Sequence, residues 1–266
     1  MSITYRNTVN TGIHGPSTGQ DPIESCFPRA NAFWAGLQPF GNIAGIQDMQ
    51  GTIDNHKWRA ADWLVTAIGG AGTTLTPTAS AHPEVATFVT RATADNDGYN
   101  IQWSMDGGTT TSNIFTPTAG QMILGYGRFK ADNAGTDAHT KCRFHFGLTE
   151  DDTGVHASDE DTIEFFKASG AATMVGRVAN EGTATDTAAL AASMVDNTYI
   201  SLGFRVNGTS SVEFWQGTTA SDMVLRLSLT TGLPDEAMGL FFEGQTSEAV
   251  AVTFSLQHLV AFQEAI

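Results

Sequence analysis

Between residue 61 and the C-terminus, twelve short apolar segments follow one another with no helical period between them. They are "WLVTAIG", "VATFVTRA", "YNIQWSM", "QMILGYGRF", "KCRFHFGLT", "TIEFFKA", "TMVGRVA", "YISLGFRV", "SVEFWQG", "MVLRLSL", "AMGLFFEG" and "AVAVTFSLQHLVAF". Most are rich in β-branched and aromatic residues and are separated by Gly, Asn, Asp, Ser and Thr, the punctuation of strands and turns. With no crossover helices available, such strands pair antiparallel. Twelve of them in about 200 residues bury their apolar faces best as two sheets packed together. The fold predicted for residues 61–266 is all-β, an antiparallel two-sheet jelly-roll sandwich.

Alternation within the segments gives the faces. In "KCRFHFGLT", Phe144, Phe146 and Leu148 share one side while Arg143 and His145 occupy the other. His145 reads as a surface or concave-face residue, and a metal role is not assigned because no second histidine stands at ligand spacing. His139, His156 and His258 are scattered and form no motif. In "YISLGFRVNGTSSVEFWQG" the apolar face carries Ile200, Leu202, Phe204 and Val206, then Val212 and Phe214. A two-residue Asn207-Gly208 turn would set Phe204 against Ser211 and Leu202 against Glu213. A three-residue loop from Asn207 to Thr209 instead pairs Phe204 with Val212 and Leu202 with Phe214. Because a one-residue slip exchanges the faces of a strand, an odd loop is predicted in spite of the Asn-Gly dipeptide.

Residues 1–60 have a different character. Pro16, Pro22, Pro28, Pro39 and many glycines break any period, yet "CFPRANAFWAGLQPFGNIAGI" concentrates Phe27, Phe33, Trp34, Leu37, Phe40, Ile43 and Ile46. Such a stretch is too apolar to stay in water and too irregular to build a core, so it reads as an extended arm lying on its own domain, a sister subunit or a partner. Phe27, Phe33, Trp34, Leu37 and Phe40 are the candidate partner-binding anchors.

The net charge of -15 and pI near 4.6 argue against a nucleic-acid partner, since the surface repels phosphate and no Lys/Arg run offsets it. No apolar run approaches the roughly 18 residues of a membrane span, and the N-terminus lacks an apolar signal core, so a soluble protein made in the cytoplasm is expected. Cys26 and Cys142 match no zinc spacing and read as buried thiols outside any disulfide framework.

The stretch "DDTGVHASDEDTIEFFKASG", residues 151–170, carries the densest group of carboxylates. A calcium loop needs six to eight converging oxygens. Here Glu150, Asp151 and Asp152 are consecutive, without the Asp-x-Asp-x-Asp-Gly alternation of such loops. The stretch reads as a solvated acidic loop that discourages edge pairing, followed by a core strand through Ile163 and Phe165.

Three segments together, "FHFGLTEDDTGVHASDEDTIEFFKASGAATMVGRV", "DNTYISLGFRVNGTSSVEFWQG" and "AVAVTFSLQHLVAFQEA", resemble the concanavalin A-like (laminin-G-like) jelly rolls of tailed-bacteriophage virion proteins, particularly capsid decoration proteins. The resemblance covers roughly residues 120–266 and lies in strand and loop pattern rather than in a chemical motif. It implies a non-enzymatic structural protein, made in the host cytoplasm and carried on the outer capsid surface of the virion. There it would stabilise the shell by bridging subunits of the major capsid protein as a homo-oligomer, a trimer being favoured. The apolar arm suits that role.

The same fold suggests two other roles. Laminarinase-like glycoside hydrolases place Glu-x-Asp-x-x-Glu on one strand, and Asp159, Asp161 and Glu164 match that spacing with Asp at the nucleophile position. Retaining chemistry needs two carboxyl groups about 5 Å apart, whereas alternation puts Asp159 and Asp161 with Ile163 and Phe165, and Glu164 on the opposite face unless a bulge intervenes. A lectin-like module for surface glycans, in a tail or head fibre, is the second role. Trp103, Tyr126 and Trp215 would then stack on sugar rings, although such aromatics more often fill a sandwich core. Asn207-Gly208-Thr209 is read as a turn only. The sequence thus assigns no catalytic residue, cofactor or metal ligand.

Overall fold

The computed structural model describes residues 43–50, 63–69, 76–78, 85–91, 96–104, 113–133, 138–150, 156, 160–190 and 194–264. Among them are fifteen strands, numbered along the chain. One sheet contains β1 (Ile43–Gln50), β3 (Thr76–Thr78), β4 (Val85–Val89), β6 (Met122–Asp132), β11 (Ile200–Asn207), β12 (Ser211–Gly217), β13 (Val224–Leu229) and β15 (Thr253–Glu264). Its order is β13-β12-β11-β6-β15-β4-β3, with β1 also pairing β15. The other contains β2 (Trp63–Ile68), β5 (Gly98–Trp103), β7 (Cys142–Thr149), β8 (Thr162–Lys167), β9 (Val175–Asn180), β10 (Thr183–Asp186) and β14 (Gly239–Thr246). These run in the order β10-β9-β8-β7-β14-β5-β2. All pairings are antiparallel. The two-sheet antiparallel sandwich predicted from alternation is therefore the fold.

Each of the twelve sequence segments contains a strand. The three additional strands lack the pattern that marks the others: β3 contains Pro77, β10 reads "TATD" with no large apolar residue, and β1 lies inside the stretch assigned to the arm. β1 pairs with β15 from Ile43↔Glu264 to Gln50↔His258, so that part of the chain adds a strand to its own domain. Phe27, Phe33, Trp34, Leu37 and Phe40 lie outside the described residues.

Between the sheets, rings interdigitate. Phe129 of β6 meets Phe144 of β7 and Phe242 of β14, each at 4.9 Å between centroids, and Phe165 of β8 meets Phe214 of β12 at 5.2 Å. All are buried, as are Leu202, Phe204, Val206 and Val212 on the face that alternation assigned to them. Cys142 is a buried free thiol whose pKa burial pushes up to about 11, so it behaves as a small core residue. No helix of the described residues is long and apolar enough to cross a membrane.

The β11–β12 hairpin corrects the sequence register while keeping its faces. The loop is Gly208-Thr209-Ser210, and Asn207 pairs with Ser211, Val206 with Val212 and Phe204 with Phe214, not Val212. Three loop residues keep the parity, so apolar still opposes apolar. The register moves because Gly208 N–H donates to Gln121 O at 2.8 Å and Asn207 is paired with Met122 of β6, a third-strand constraint that a hairpin sequence does not contain. Gly208 has φ +55°, and a Cβ there would stand 2.9 Å from Thr118 O. Gly208→Ala is expected to cost about 1–2 kcal/mol, read as a lower urea midpoint at unchanged m-value.

Candidate functional site

The polar half of the alternation in the seven-stranded sheet points away from the core. Phe144, Phe146 and Leu148 of β7, Ile163 and Phe165 of β8 and Leu240 and Phe242 of β14 face inward. His145, Glu164 and Glu243 consequently face outward. Register sets them side by side, with Glu243 opposite both His145 and Asn100, and Glu164 opposite Gly147 and Arg177. Yet this outer face is not wet: Glu164 and Glu243 are 0% exposed and His145 is 6% exposed.

His156, from the connection between β7 and β8, completes the group. Its backbone N–H donates to Glu243 Oε2 at 2.7 Å, and its ring packs 4.8 Å from Phe241 and 4.9 Å from His145. Both imidazoles converge on one oxygen, with His145 Nδ1 2.8 Å and His156 Nε2 3.3 Å from Glu164 Oε2. The other Glu164 oxygen lies 3.6 Å from Arg177 Nη1, and Arg177 also forks onto Asp186 at 2.6 and 3.0 Å and covers the Phe166 ring at 4.1 Å. Burial alone would raise the Glu164 carboxyl, but His145 and His156 hold it well below the ordinary range. Glu243 is shifted the other way, raised by its burial against the pull of His145, His156 and Arg143. Two adjacent buried carboxyls are thus driven apart by their surroundings.

Gly147, opposite Glu164, makes this approach possible. A Cβ at that position would stand 1.9 Å from Ile163 O, which belongs to the neighbouring backbone and has nowhere to go. Only glycine keeps β7 and β8 this close beneath the cluster.

The sequence reading of His145 as a surface or concave-face residue without a histidine partner is corrected here. The partner is His156, eleven residues on, and the only hint of the outer face in the sequence is the alternation at His145. His156 carries no such sign, since it stands in no motif and in no strand segment. His258 lies elsewhere, on β15 beside the Tyr126 ring at 6.2 Å, and burial lowers its pKa to about 4.

Asp161 and Glu164, the two described carboxylates of the triplet, do not share a face. β8 keeps regular register with β7 and β9 from Thr162 to Phe166, so there is no bulge to turn Glu164 toward the face of Asp161. Asp161 instead accepts backbone N–H bonds from Glu181 at 2.8 Å, Asp235 at 2.9 Å and Glu236 at 3.0 Å. It clips two loops to the start of β8, while Glu164 serves the histidines. Asp159 lies outside the described residues.

A second feature is open to solvent. At the ends of β11 and β12, a cavity of about 170 Å³ is lined by Tyr199, Gln216, Thr218, Asp222 and Arg226 among others. Arg128 and Lys130 sit over the Tyr199 ring at 4.8 and 5.3 Å. Burial opposes ionisation of Asp222, but hydrogen bonds from Thr218 and Thr219 outweigh it and keep the carboxyl below its usual range. The wall therefore offers an aromatic ring, an amide, a hydroxyl, a fixed anion and a cation.

No family model matches the chain, and no curated protein matches it. Solved structures do. A protein of unknown function from Shewanella oneidensis is 14% identical with a TM-score of 0.53, covering 82% of this chain and 85% of the other. Peanut lectin with a bound 9mer peptide is 9% identical at TM-score 0.53, covering 84% and 98%. The exoplasmic/lumenal domain of VIP36, in a form bound to Ca2+ and Man3GlcNAc, is 12% identical at TM-score 0.53, covering 77% and 85%. The fold is a lectin-type, concanavalin A-like jelly roll. At these identities the likeness reaches the fold and stops there.

Within the lectin-type jelly roll the three aromatics singled out from sequence separate. Trp103 packs at the core edge against Trp63, with centroids 5.1 Å apart. Tyr126 and Trp215 are buried, but on the outer face of the eight-stranded sheet, because Gly127 and Phe214 beside them point inward. Their assignment to the core is corrected to that extent. Tyr126 OH bonds Ser201 Oγ at 3.0 Å and Trp215 Nε1 donates to Glu213 at 3.1 Å. Tyr199, the first residue of "YISLGFRV" and not one of those three, is the aromatic of the open cavity.

Proposed function

We propose that this chain is a non-catalytic carbohydrate-binding module of lectin type, with the Tyr199 cavity as its sugar site. The observation that carries the reading is the composition of that cavity. A half-buried ring, the Gln216 amide, the Thr218 hydroxyl, the Asp222 carboxylate and the Arg226 guanidinium surround a space of about 170 Å³, room for about a single sugar ring. Sugars present apolar C–H faces that suit an aromatic wall and hydroxyls that suit polar groups of fixed direction. Fold neighbours lend support, since the VIP36 domain is described with a bound oligosaccharide. Capsid decoration, implied by the phage-like sequence pattern, has that pattern alone behind it.

A glycan array followed by calorimetry with the best monosaccharide tests the proposal. Wild-type protein is expected to bind, and Tyr199→Ala and Arg226→Ala to weaken binding at least tenfold at unchanged melting temperature. An array at background, or a Tyr199→Ala protein that binds like wild type, overturns it.

A further inference from the structure

The buried cluster on the seven-stranded sheet belongs to no part of the sugar-site proposal. Two imidazoles address one carboxylate oxygen, and the three donor atoms of His145, His156 and Glu164 lie within 4.8 Å of one another. Donors held about 2.0–2.2 Å from a tetrahedral zinc ion stand roughly 3.3–3.5 Å apart. The His156–Glu164 separation of 3.3 Å already has that value, and the His145–Glu164 separation of 2.8 Å falls short of it by about half an ångström, within a side-chain adjustment.

Charge and chemistry favour the same occupant. Glu164 and Glu243 are both fully buried, and the guanidinium groups nearest them are loosely placed: Arg177 Nη1 at 3.6 Å from Glu164 and Arg143 Nη2 at 3.8 Å from Glu243, beyond hydrogen-bond range. Glu164 Oε1 and Glu243 Oε1 have no hydrogen-bond partner among the described residues. Buried carboxylate oxygens left in this way are costly unless a cation offsets them. Two imidazoles with one carboxylate are borderline donors, suited to zinc and its neighbours, whereas calcium asks for a shell of oxygens. The scaffold is also preorganised, with His145 and Glu164 on paired strands and the His156 backbone tied to Glu243.

We propose that His145 Nδ1, His156 Nε2 and Glu164 bind one divalent transition-metal ion of the zinc class, leaving a fourth position for water. The ion ties the β7–β8 connection to the outer face of the sheet. The three residues come from two strands and a connection, so the site forms only when the sandwich does, and metal affinity appears as folding stability.

The experiment uses full-length chain prepared without a histidine tag, stripped with chelator and titrated with Zn2+ and Co2+. One equivalent of Zn2+ is expected to bind and raise the melting temperature, and Co2+ to give the intense visible absorption of a four-coordinate site. His156→Gln changes a connection residue rather than a strand. It is expected to weaken zinc affinity by on the order of a hundredfold and to abolish the melting shift. Absence of stoichiometric uptake by folded wild-type chain overturns the proposal, as does unchanged affinity in folded His156→Gln. Should that variant fail to fold, the wild-type cobalt spectrum decides: a four-coordinate envelope supports the site, and the weak spectrum of the hydrated ion overturns it. Glycan binding plays no part in these readouts.

Discussion

Asp161→Ala is expected to lower folding stability by about 3–5 kcal/mol, the loss of three hydrogen bonds to a charged acceptor with their donors left behind. The carboxylate is 1% exposed and receives the amides of Glu181, Asp235 and Glu236. One oxygen holds the β9–β10 turn and the other holds the segment before β14, so a single side chain joins two loops far apart in sequence. Asp161→Asn retains one acceptor oxygen and should recover about half of the loss. Asp161→Glu keeps the charge but moves it by a methylene and should fall between the two. Urea unfolding of the three variants, compared at equal m-value, gives the ranking. If the alanine variant loses less than about 1 kcal/mol, the amides find other partners and the clip is not structural.

The fate of Asp161 shows where the sequence was legible and where it was not. Period-2 alternation in "KCRFHFGLT" and "TIEFFKA" placed Phe144, Phe146, Leu148, Ile163 and Phe165 inward, and all are buried, because core burial leaves a direct trace in apolar spacing. Alternation also sent Glu164 outward. It carried no information on what lies there, since an outward residue is solvated in one protein and buried in another. The His145–His156 pairing depends on where His156 is placed against the sheet, and the Asp161 clip on loops that follow β9 and precede β14. Such contacts are non-local and polar, and alternation within one segment carries no record of them. The hairpin at Asn207 failed more gently. Its parity was readable from apolar residues, but its absolute register needed β6.

The other large effect lies in the core. Phe129→Ala is expected to cost about 3–5 kcal/mol, from lost transfer free energy and the cavity left behind. Phe129 is the ring of β6 that reaches across to both Phe144 and Phe146 of β7 and to Phe242 of β14, with edge-to-face geometry at 4.9 Å to two of them. Such pairs add roughly 0.5–1.5 kcal/mol beyond area burial. Phe129→Leu keeps most of the volume and loses the ring edges, so it should cost about 1–2 kcal/mol. Val224→Ala on β13, at a residue 45% exposed, should stay within about 0.5 kcal/mol and serves as the control. A double-mutant cycle of Phe129→Leu with Phe242→Leu separates the two contributions. A coupling of about 0.5 kcal/mol or more assigns the difference to ring geometry, and additivity within about 0.3 kcal/mol assigns it to buried area alone. Because these rings meet across the two sheets, the cycle measures how far specific packing, rather than burial in general, fixes one sheet against the other at this point.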